Sequence, residues 1–312
     1  MAYAIATVTG GLGDEAHYKV LAALKTLLEG IGWITLRYDT SGADKELIMN
    51  SDGLSGTEDI YIGFKTYQSV SGDYYNIAVS CFTGYIVGNT FEAQPGARLC
   101  GVPAHNNAIT YFITANKQRV AGCFKVGTPV YTHFYVGKMF PYARPGEFPS
   151  PLVSAGNFDG KELRRFSDTQ YQFPYYGWGP NAFGGGAADQ SRLYLRRPDG
   201  AWAQQYHNPW RNMDYAGGPL RPAGVDYVML PIMLYNWNPR NVWGELDGIT
   251  AITGFNNGVE NVLQQGGTPV DQTGMTPLQA VDAVLAAGGR AHVVLQDVNR
   301  TGFSNFIAME MN

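Results

Sequence analysis

Residues 109–139, ITYFITANKQRVAGCFKVGTPVYTHFYVGKM, carry β-branched and aromatic side chains in runs that are separated by turn residues. Such runs are typical of β-strands. The turns contain Asn116 and Gly127, which belong to the residue types that favour turns. The predicted strands cover residues 109–116, 119–126 and 129–139. They are expected to form an antiparallel meander.

The strand pattern continues on the N-terminal side of this meander. Residues 60–67 and 74–82 are separated by Ser69, Ser71, Gly72 and Asp73, which predicts a hairpin. On the C-terminal side, prolines recur between positions 141 and 151. Proline excludes both helix interior and central strand, so an extended surface crossing and a domain boundary are expected there.

The first fifty residues have a different pattern. A short strand is predicted at 2–9, and Asp14 can cap a helix that runs to about Glu29. Its apolar residues follow the spacing of one helical face. Strands at 33–38 and 46–50 complete a small α/β unit.

The C-terminal half predicts further short strands and one late helix. Strands are expected at 191–196, 201–205, 225–235, 291–297 and 303–309. Residues 241–253 fit either a strand pair or one bent strand. A helix is predicted at 277–287, because Thr276 and Gln279 form a capping box around Pro277.

The expected fold class is therefore α+β and predominantly β. A small N-terminal α/β unit would be followed by an antiparallel sandwich or barrel-like region with a late short helix. The expected domains are 1–95, an α/β unit with one amphipathic helix; 96–155, a β meander that ends in the proline-rich crossing; and 156–312, a β-rich C-terminal domain.

Composition limits the classes of partner. Only 15% of the 312 residues are charged and the formal net charge is −4, which argues against a nucleic-acid-binding surface over the molecule. A surface poor in charge and rich in Tyr fits a subunit covered by neighbours, although Tyr is also a common strand residue. The sequence predicts no membrane span and no signal peptide. The three cysteines predict neither a disulfide framework nor a zinc site.

Catalytic and cofactor motifs are scarce. Residues 9–13, TGGLG, lack the lysine of a phosphate-binding loop and the glycine spacing of a dinucleotide fold. The five histidines form no close metal-binding pair. We therefore expect no cofactor, no metal and no catalytic residue.

Two alternatives to a structural role use residues from 235–247. Glu245 and Asp247, at strand spacing, would face one side and could act as the carboxylate pair of a polysaccharide hydrolase. A carbohydrate-binding or receptor-binding module is the other alternative. Its candidate stacking or interface aromatics are Trp178, Trp202, Trp237 and Trp243.

Three groups of residues carry a resemblance to a known class of protein. The first is ANKQRV at 115–120, continuing through Tyr131, Tyr135, Gly137, Phe140-Pro141-Tyr142 and Pro149-Ser150-Pro151-Leu152. The second is LRRPDGAW at 195–202. The third is GELDG at 244–248, followed by Gly266-Gly267 and by Val298-Asn299-Arg300-Thr301. In this order and spacing they resemble virion structural proteins from the tail or neck of tailed bacteriophages.

The resemblance implies a non-catalytic subunit of a homo-oligomeric ring in the tail, the neck or collar, or the baseplate. Its partners would be copies of itself and other tail or neck proteins, and its location the virion. The family carries no catalytic residues to transfer. Low charge and abundant aromatics suit such a ring, because unpaired charge is costly to bury in subunit contacts.

Overall fold

A computed structural model provides the fold. It describes residues 1–127, 130–144, 146–169, 173–175, 192–205, 228–236, 241–253, 284–287, 290–296 and 306–312. In these residues no helix is both long and apolar enough to cross a membrane.

The described residues are mostly β, which confirms the expected predominantly β, α+β class. One α-helix, α1, spans Ala16–Glu29, and a short 3₁₀ helix spans Phe166–Thr169. The strands in the first half are β1 (Ala2–Thr9), β2 (Ile34–Asp39), β3 (Glu46–Ser51), β4 (Ile60–Ser69), β5 (Tyr74–Phe82), β6 (Arg98–Pro103), β7 (Ala108–Ala115), β8 (Arg119–Val126), β9 (Val130–Lys138), β10 (Phe140–Pro141) and β11 (Leu152–Ala155). Those that follow are β12 (Phe158–Asp159), β13 (Leu193–Arg196), β14 (Trp202–Gln204), β15 (Val228–Asn236), β16 (Asn241–Thr253), β17 (Val284–Ala287), β18 (Arg290–Gln296) and β19 (Phe306–Glu310).

The strands form three antiparallel sheets. The central sheet has the order β1-β7-β8-β9-β11-β13-β14. The N-terminal sheet has the order β12-β6-β5-β4-β3-β2. The C-terminal sheet has the order β10-β16-β19-β18-β17, with β15 paired to β16.

The middle strands of the central sheet, β8 and β9, are buried on both faces. Along β8, Val120 and Phe124 belong to a core shared with α1 and the N-terminal sheet. Their neighbours Ala121 and Cys123 belong to a second core shared with the C-terminal sheet. Because successive strand residues point to opposite faces, this strand is apolar in nearly every position. The molecule is thus a three-layer stack of sheets with the meander in the middle.

Helix α1 lies between the central and N-terminal sheets at one end of the stack. Val20, Leu21, Leu24 and Leu28 are fully buried on one face of the helix. The predicted cap by Asp14 is wrong, because the N-cap residue is Glu15 and its side chain makes no capping bond. Instead, the N–H groups of Ala16 and His17 donate to the backbone carbonyls of Asn106 and His105. Tertiary contacts therefore satisfy the helix terminus that a local cap was expected to satisfy.

The predicted strands of the meander, the 60–82 hairpin and the N-terminal unit are all present. Residues 241–253 form one irregular strand, because its pairing with β15 shifts register at two points. The predicted helix at 277–287 is corrected at its C-terminal end, since Val284–Ala287 is a strand that pairs with β18. Only two residues, both glycine, separate these strands, and Gly-Gly favours a hairpin there. Residues 277–283 lie outside the described residues.

Strand pairing crosses both predicted domain boundaries. β1 pairs with β7 across position 95, and β11 pairs with β13 across position 155. The division at 95 and 155 stays a prediction about independent folding, but the sheets themselves are shared between the segments.

Gly137 offers a test of this packing. Its φ of +123° is one that L side chains rarely adopt, and a Cβ there would lie 2.3 Å from the Gln118 carbonyl oxygen. We expect Gly137→Ala to lower the free energy of unfolding by at least about 2 kcal/mol, through backbone strain and overpacking. Chemical denaturation measures this. Gly88→Ala is the matched control, because a Cβ at Gly88 meets nothing within 4 Å; equal losses for the two variants would contradict the prediction.

Candidate functional site

A buried polar cluster joins the central sheet to the C-terminal sheet. We call it the latch and define it as Asn116, Gln118, Arg119 and Asp247. Arg119 is fully buried and Asp247 is 4% exposed. The Arg119 Nε lies 3.2 Å from Asp247 Oδ2, which makes a salt bridge between β8 and β16. The latch therefore contains an ion pair that lies in the interior, between the central and C-terminal sheets.

Three donors converge on one carboxylate oxygen. Asp247 Oδ2 accepts bonds from Asn116 Nδ2 at 2.6 Å, from Gln118 Nε2 at 3.1 Å and from Arg119 Nε at 3.2 Å. The Asp247 N–H donates to the Tyr135 hydroxyl at 3.3 Å. Burial, together with the nearby Asp247 carboxylate, raises the pKa of Tyr135 well above its ordinary value. A buried carboxylate requires such partners, because desolvation of an unpaired charge costs several kcal/mol.

The Arg119 guanidinium is held on its other sides as well. Its Nη1 donates to Thr114 Oγ1 at 3.1 Å, and its Nη2 lies 3.5 Å from the sulfur of Met1. A Cβ on Gly248 would lie 2.0 Å from Nη2, so only glycine leaves room for the guanidinium. The last glycine of the GELDG motif is therefore explained by the close approach of Arg119.

The turn between β7 and β8 positions the three donors. Asn116 Oδ1 accepts bonds from the N–H groups of Gln118 and Arg119, at 2.9 and 3.1 Å. Its own N–H donates to the Arg119 carbonyl. This is the local bonding that makes Asn a frequent turn residue. The ANKQR sequence therefore closes a tight hairpin and turns its side-chain amides toward Asp247.

The proline-rich segment meets the same strand a few residues away. Phe140 pairs with Glu245 and Pro141 with Gly244 in the β10–β16 ladder. A Cβ on Gly244 would lie 2.1 Å from the Phe140 carbonyl oxygen, which accounts for the first glycine of the motif. The Tyr142 hydroxyl donates to Glu245 Oε2 at 2.7 Å, and burial together with this contact raises the pKa of Tyr142 to about 12.

The two carboxylates of the hydrolase hypothesis have separate roles in the structure. Asp247 is buried and bound by the latch donors, whereas Glu245 is partly exposed and bonded to Tyr142. A glycosidase requires both carboxyl groups to reach the scissile bond. This geometry gives no support to Glu245 and Asp247 as a catalytic pair.

The proposed glycan-stacking aromatics are not brought together among the described residues. The Trp202 indole N–H donates to the Gly96 carbonyl at 3.0 Å, beside the N-terminal sheet. Trp243 packs edge-to-face on Phe148, with ring centroids 5.8 Å apart, against the core between the central and C-terminal sheets. Trp178 and Trp237 lie outside the described residues.

A second polar contact crosses the same interface between sheets. His133 of β9 is fully buried, and its Nε2 lies 2.9 Å from the backbone carbonyl oxygen of Gln296 in β18. Its ring packs edge-to-face on Phe173 and Tyr175. Burial lowers the pKa of His133 to about 3, so the ring is neutral at physiological pH and donates to that carbonyl.

A cleft of about 350 Å³ opens at the other end of the molecule, beside Tyr75, His105 and Arg165. No group of three or more His, Cys, Asp or Glu side chains suited to a metal ion occurs in the part of the chain that the structure describes.

Sequence reasoning drew attention to the latch segments without predicting their contacts. The segments 115–120, 140–142 and 244–248 carry the phage resemblance, and the structure places them beside one another. Arg119 at the start of an apolar strand was the available signal, because a charge in a buried strand requires a partner.

No protein-family model matches the chain, and no curated protein matches it.

The latch makes a stability prediction with an internal control. Asp247→Ala leaves Arg119 buried without a counter-charge, so we expect a loss of about 3–5 kcal/mol in the free energy of unfolding. Glu245→Ala removes the other carboxylate of the same motif, at a partly exposed position, and is expected to cost no more than about 1 kcal/mol. Denaturant unfolding of both variants measures the difference.

A double substitution sharpens this test. Arg119→Met with Asp247→Leu removes both charges, so it is expected to destabilise the chain less than Asp247→Ala alone. A double variant that is less stable than Asp247→Ala would show that the penalty does not come from an orphaned charge.

The buried histidines predict a pH dependence. Burial lowers the pKa values of His17 and His133 to about 3, against about 6.5 in the unfolded chain. Below pH 6.5 the unfolded chain binds protons that the native state does not, so stability is full above that pH and falls as pH decreases toward 3. Each histidine contributes a slope that approaches about 1.4 kcal/mol per pH unit.

Unfolding free energies measured between pH 6.5 and 5 separate the histidine contribution from that of the carboxylates, because carboxylates are largely ionised in both states in this range. His133→Asn should reduce the slope, by about half a proton at pH 6.5 and by nearly one proton at pH 5. His105→Asn is the control, since His105 is only half-buried and should change the slope less. An unchanged slope in His133→Asn would contradict the lowered pKa of His133.

Proposed function

We propose that this chain is a non-catalytic structural subunit of a tailed-phage virion that assembles into a homo-oligomeric ring in the tail, the neck or collar, or the baseplate. The main support for the proposal is the structural role of the residues that carry the phage resemblance. Asn116, Arg119 and Asp247 bond across a buried interface between two sheets, and Phe140 and Gly244 pair in the strand ladder beside it. Residues that hold a scaffold together are what a structural family would share.

The proline-rich segment supports an intersubunit surface. Phe140 is 42% exposed and Tyr142 is 55% exposed, next to Val242 at 43% on the paired strand β16. Large exposed aromatic side chains are typical of protein interfaces. The latch fixes β16 beneath them, so this apolar patch is presented on a rigid element.

The low charge of the chain supports the same proposal. Ring contacts bury large surfaces on two different faces of each subunit, and each unpaired charge there has a desolvation cost. With 15% charged residues, the chain has few such charges to accommodate. The alternatives, a hydrolase and a glycan-binding module, have no comparable support, because their candidate residues are buried, bonded elsewhere or outside the described residues.

Light scattering coupled to size exclusion, with electron-microscopy class averages, tests the ring. We expect a closed assembly, sixfold or twelvefold, and co-purification with other tail or neck proteins. Phe140→Asp with Tyr142→Asp should reduce the assembled fraction, because charge would be buried at the contact. Val70→Asp is the control, since Val70 is 73% exposed at the tip of a distant hairpin. A stable monomer with no affinity for other virion proteins would overturn the proposal.

A further inference from the structure

Strand β1 leaves one backbone edge open in the central sheet. It pairs with β7 on one side along its whole length, from Ala2↔Ala115 to Thr9↔Ala108. It is the terminal strand of that sheet, and no described strand pairs with its other side. An open strand edge is a template for another strand, and proteins usually protect it with charge, proline or a bulge.

The edge of β1 from Tyr3 to Thr7 has none of these protections. Residues 1–13, MAYAIATVTGGLG, contain no charged side chain and no proline, and the β1–β7 ladder has no register shift. Edge strand β2 of the N-terminal sheet differs, because it carries Arg37 and Asp39 and a bulge between Thr35 and Arg37. The edge at β2 is therefore protected in the usual ways, and the edge at β1 is not.

The register identifies which groups of β1 point outward. The Gly10 N–H donates to the Asn107 carbonyl, so this pair, which continues the β1–β7 register, is a hydrogen-bonded one. In an antiparallel ladder such pairs alternate, so Ala2, Ala4, Ala6 and Val8 also bond to β7. The N–H and C=O groups of Tyr3, Ile5, Thr7 and Thr9 then point away from β7.

Two side-chain contacts agree with this assignment. Lys19 Nζ donates to the outward Thr9 carbonyl at 2.8 Å. The hydroxyls of Thr7 and Thr110 lie 2.8 Å apart, as expected for the closer side chains of a pair without ladder bonds. Tyr3, Ile5 and Thr7 therefore each offer one N–H and one C=O at the open edge.

We propose that β1 pairs with β1 of a second copy of this chain, antiparallel and around a two-fold axis at Ile5. In that register Ile5 lies opposite Ile5 of the other copy, and Tyr3 lies opposite Thr7. Every outward N–H and C=O of these three residues then finds a partner, with none left over. Tyr3 and Ile5 are 51% and 38% exposed, so the pairing also covers apolar side chains.

This contact is distinct from the proposed ring. A two-fold contact uses the same surface on both copies, whereas a cyclic ring joins two different surfaces. The β1 pair would therefore join two subunits around a two-fold axis, and it can form whether or not the ring forms.

Single-cysteine cross-linking of the full chain tests the register. The Cα atoms of a hydrogen-bonded antiparallel pair lie about 5.5 Å apart, within the range of a disulfide. Ile5→Cys should therefore give a covalent dimer under mild oxidation. The native cysteines are all buried and free, so they should not contribute. Leu12→Cys is the control, because Leu12 is fully exposed but far from the axis.

A mixture of variants tests the strand direction. Tyr3→Cys mixed with Thr7→Cys should cross-link faster than either variant alone, since these positions lie opposite each other only in the antiparallel pair. Ile5→Pro removes the outward N–H but no bond to β7, so it should weaken dimerisation at least about tenfold, whereas Ile5→Val should not.

The outcomes separate the two proposals. A covalent Ile5→Cys dimer with no closed ring would support the β1 pair and overturn the ring. A closed ring in which Ile5→Cys cross-links no faster than Leu12→Cys would overturn the β1 pair alone. Protection of the Tyr3, Ile5 and Thr7 amides from hydrogen exchange in a dilute monomer would mean that the chain covers its own edge, and it too would overturn the pair.

Discussion

The salt bridge between Arg119 and Asp247 is the constraint on which the arrangement of the sheets depends. Its partners lie 128 positions apart in the chain, one in the central sheet and one in the C-terminal sheet. Apolar side chains alone tolerate sliding of one sheet over another, because the hydrophobic effect is not directional. A buried charge pair with fixed donors does not tolerate it, since any shift leaves charge unsatisfied. The latch therefore adds directional specificity to an interface whose stability comes mainly from apolar burial.

The latch also explains local features that look unrelated in the sequence. Gly248 leaves space for the guanidinium, Gly244 leaves space for the Phe140 carbonyl, and Gly137 lies against the backbone of Arg119. Asn116 closes the turn that directs its neighbours toward Asp247. These positions are determined by close approach rather than by secondary-structure propensity. Scaffold residues of this kind are difficult to distinguish from catalytic residues in a sequence, because both are polar or glycine within strands.

The sequence predicted the strands of the meander and of the 60–82 hairpin because their signal is local, whereas β6 and β11 were not predicted. Alternation and turn residues located the meander and the 60–82 hairpin within a few residues. The helix cap failed because tertiary contacts to the carbonyls of His105 and Asn106 replace a local one. The last four residues of the predicted late helix, Val284–Ala287, instead form a strand that pairs with β18. The role of Asp247 could not be predicted, because its partners are distant in the chain. Alternation placed Glu245 and Asp247 on one side, but it carries no information about which of them an arginine from another sheet will bind.

The edge strands β1 and β2 show how the same chain treats two similar surfaces differently. A bulge and the charges of Arg37 and Asp39 make β2 a poor template for a further strand, as is usual for an edge that faces solvent. β1 keeps a regular ladder, and its outward groups belong to Tyr, Ile and Thr, residues with high strand propensity. Since an unprotected edge promotes uncontrolled association, it is tolerated where a defined partner covers it. The small side chains of Ala2, Ala4 and Ala6 also leave the backbone of β1 open to close approach. The contrast between β1 and β2 therefore supports specific pairing at β1.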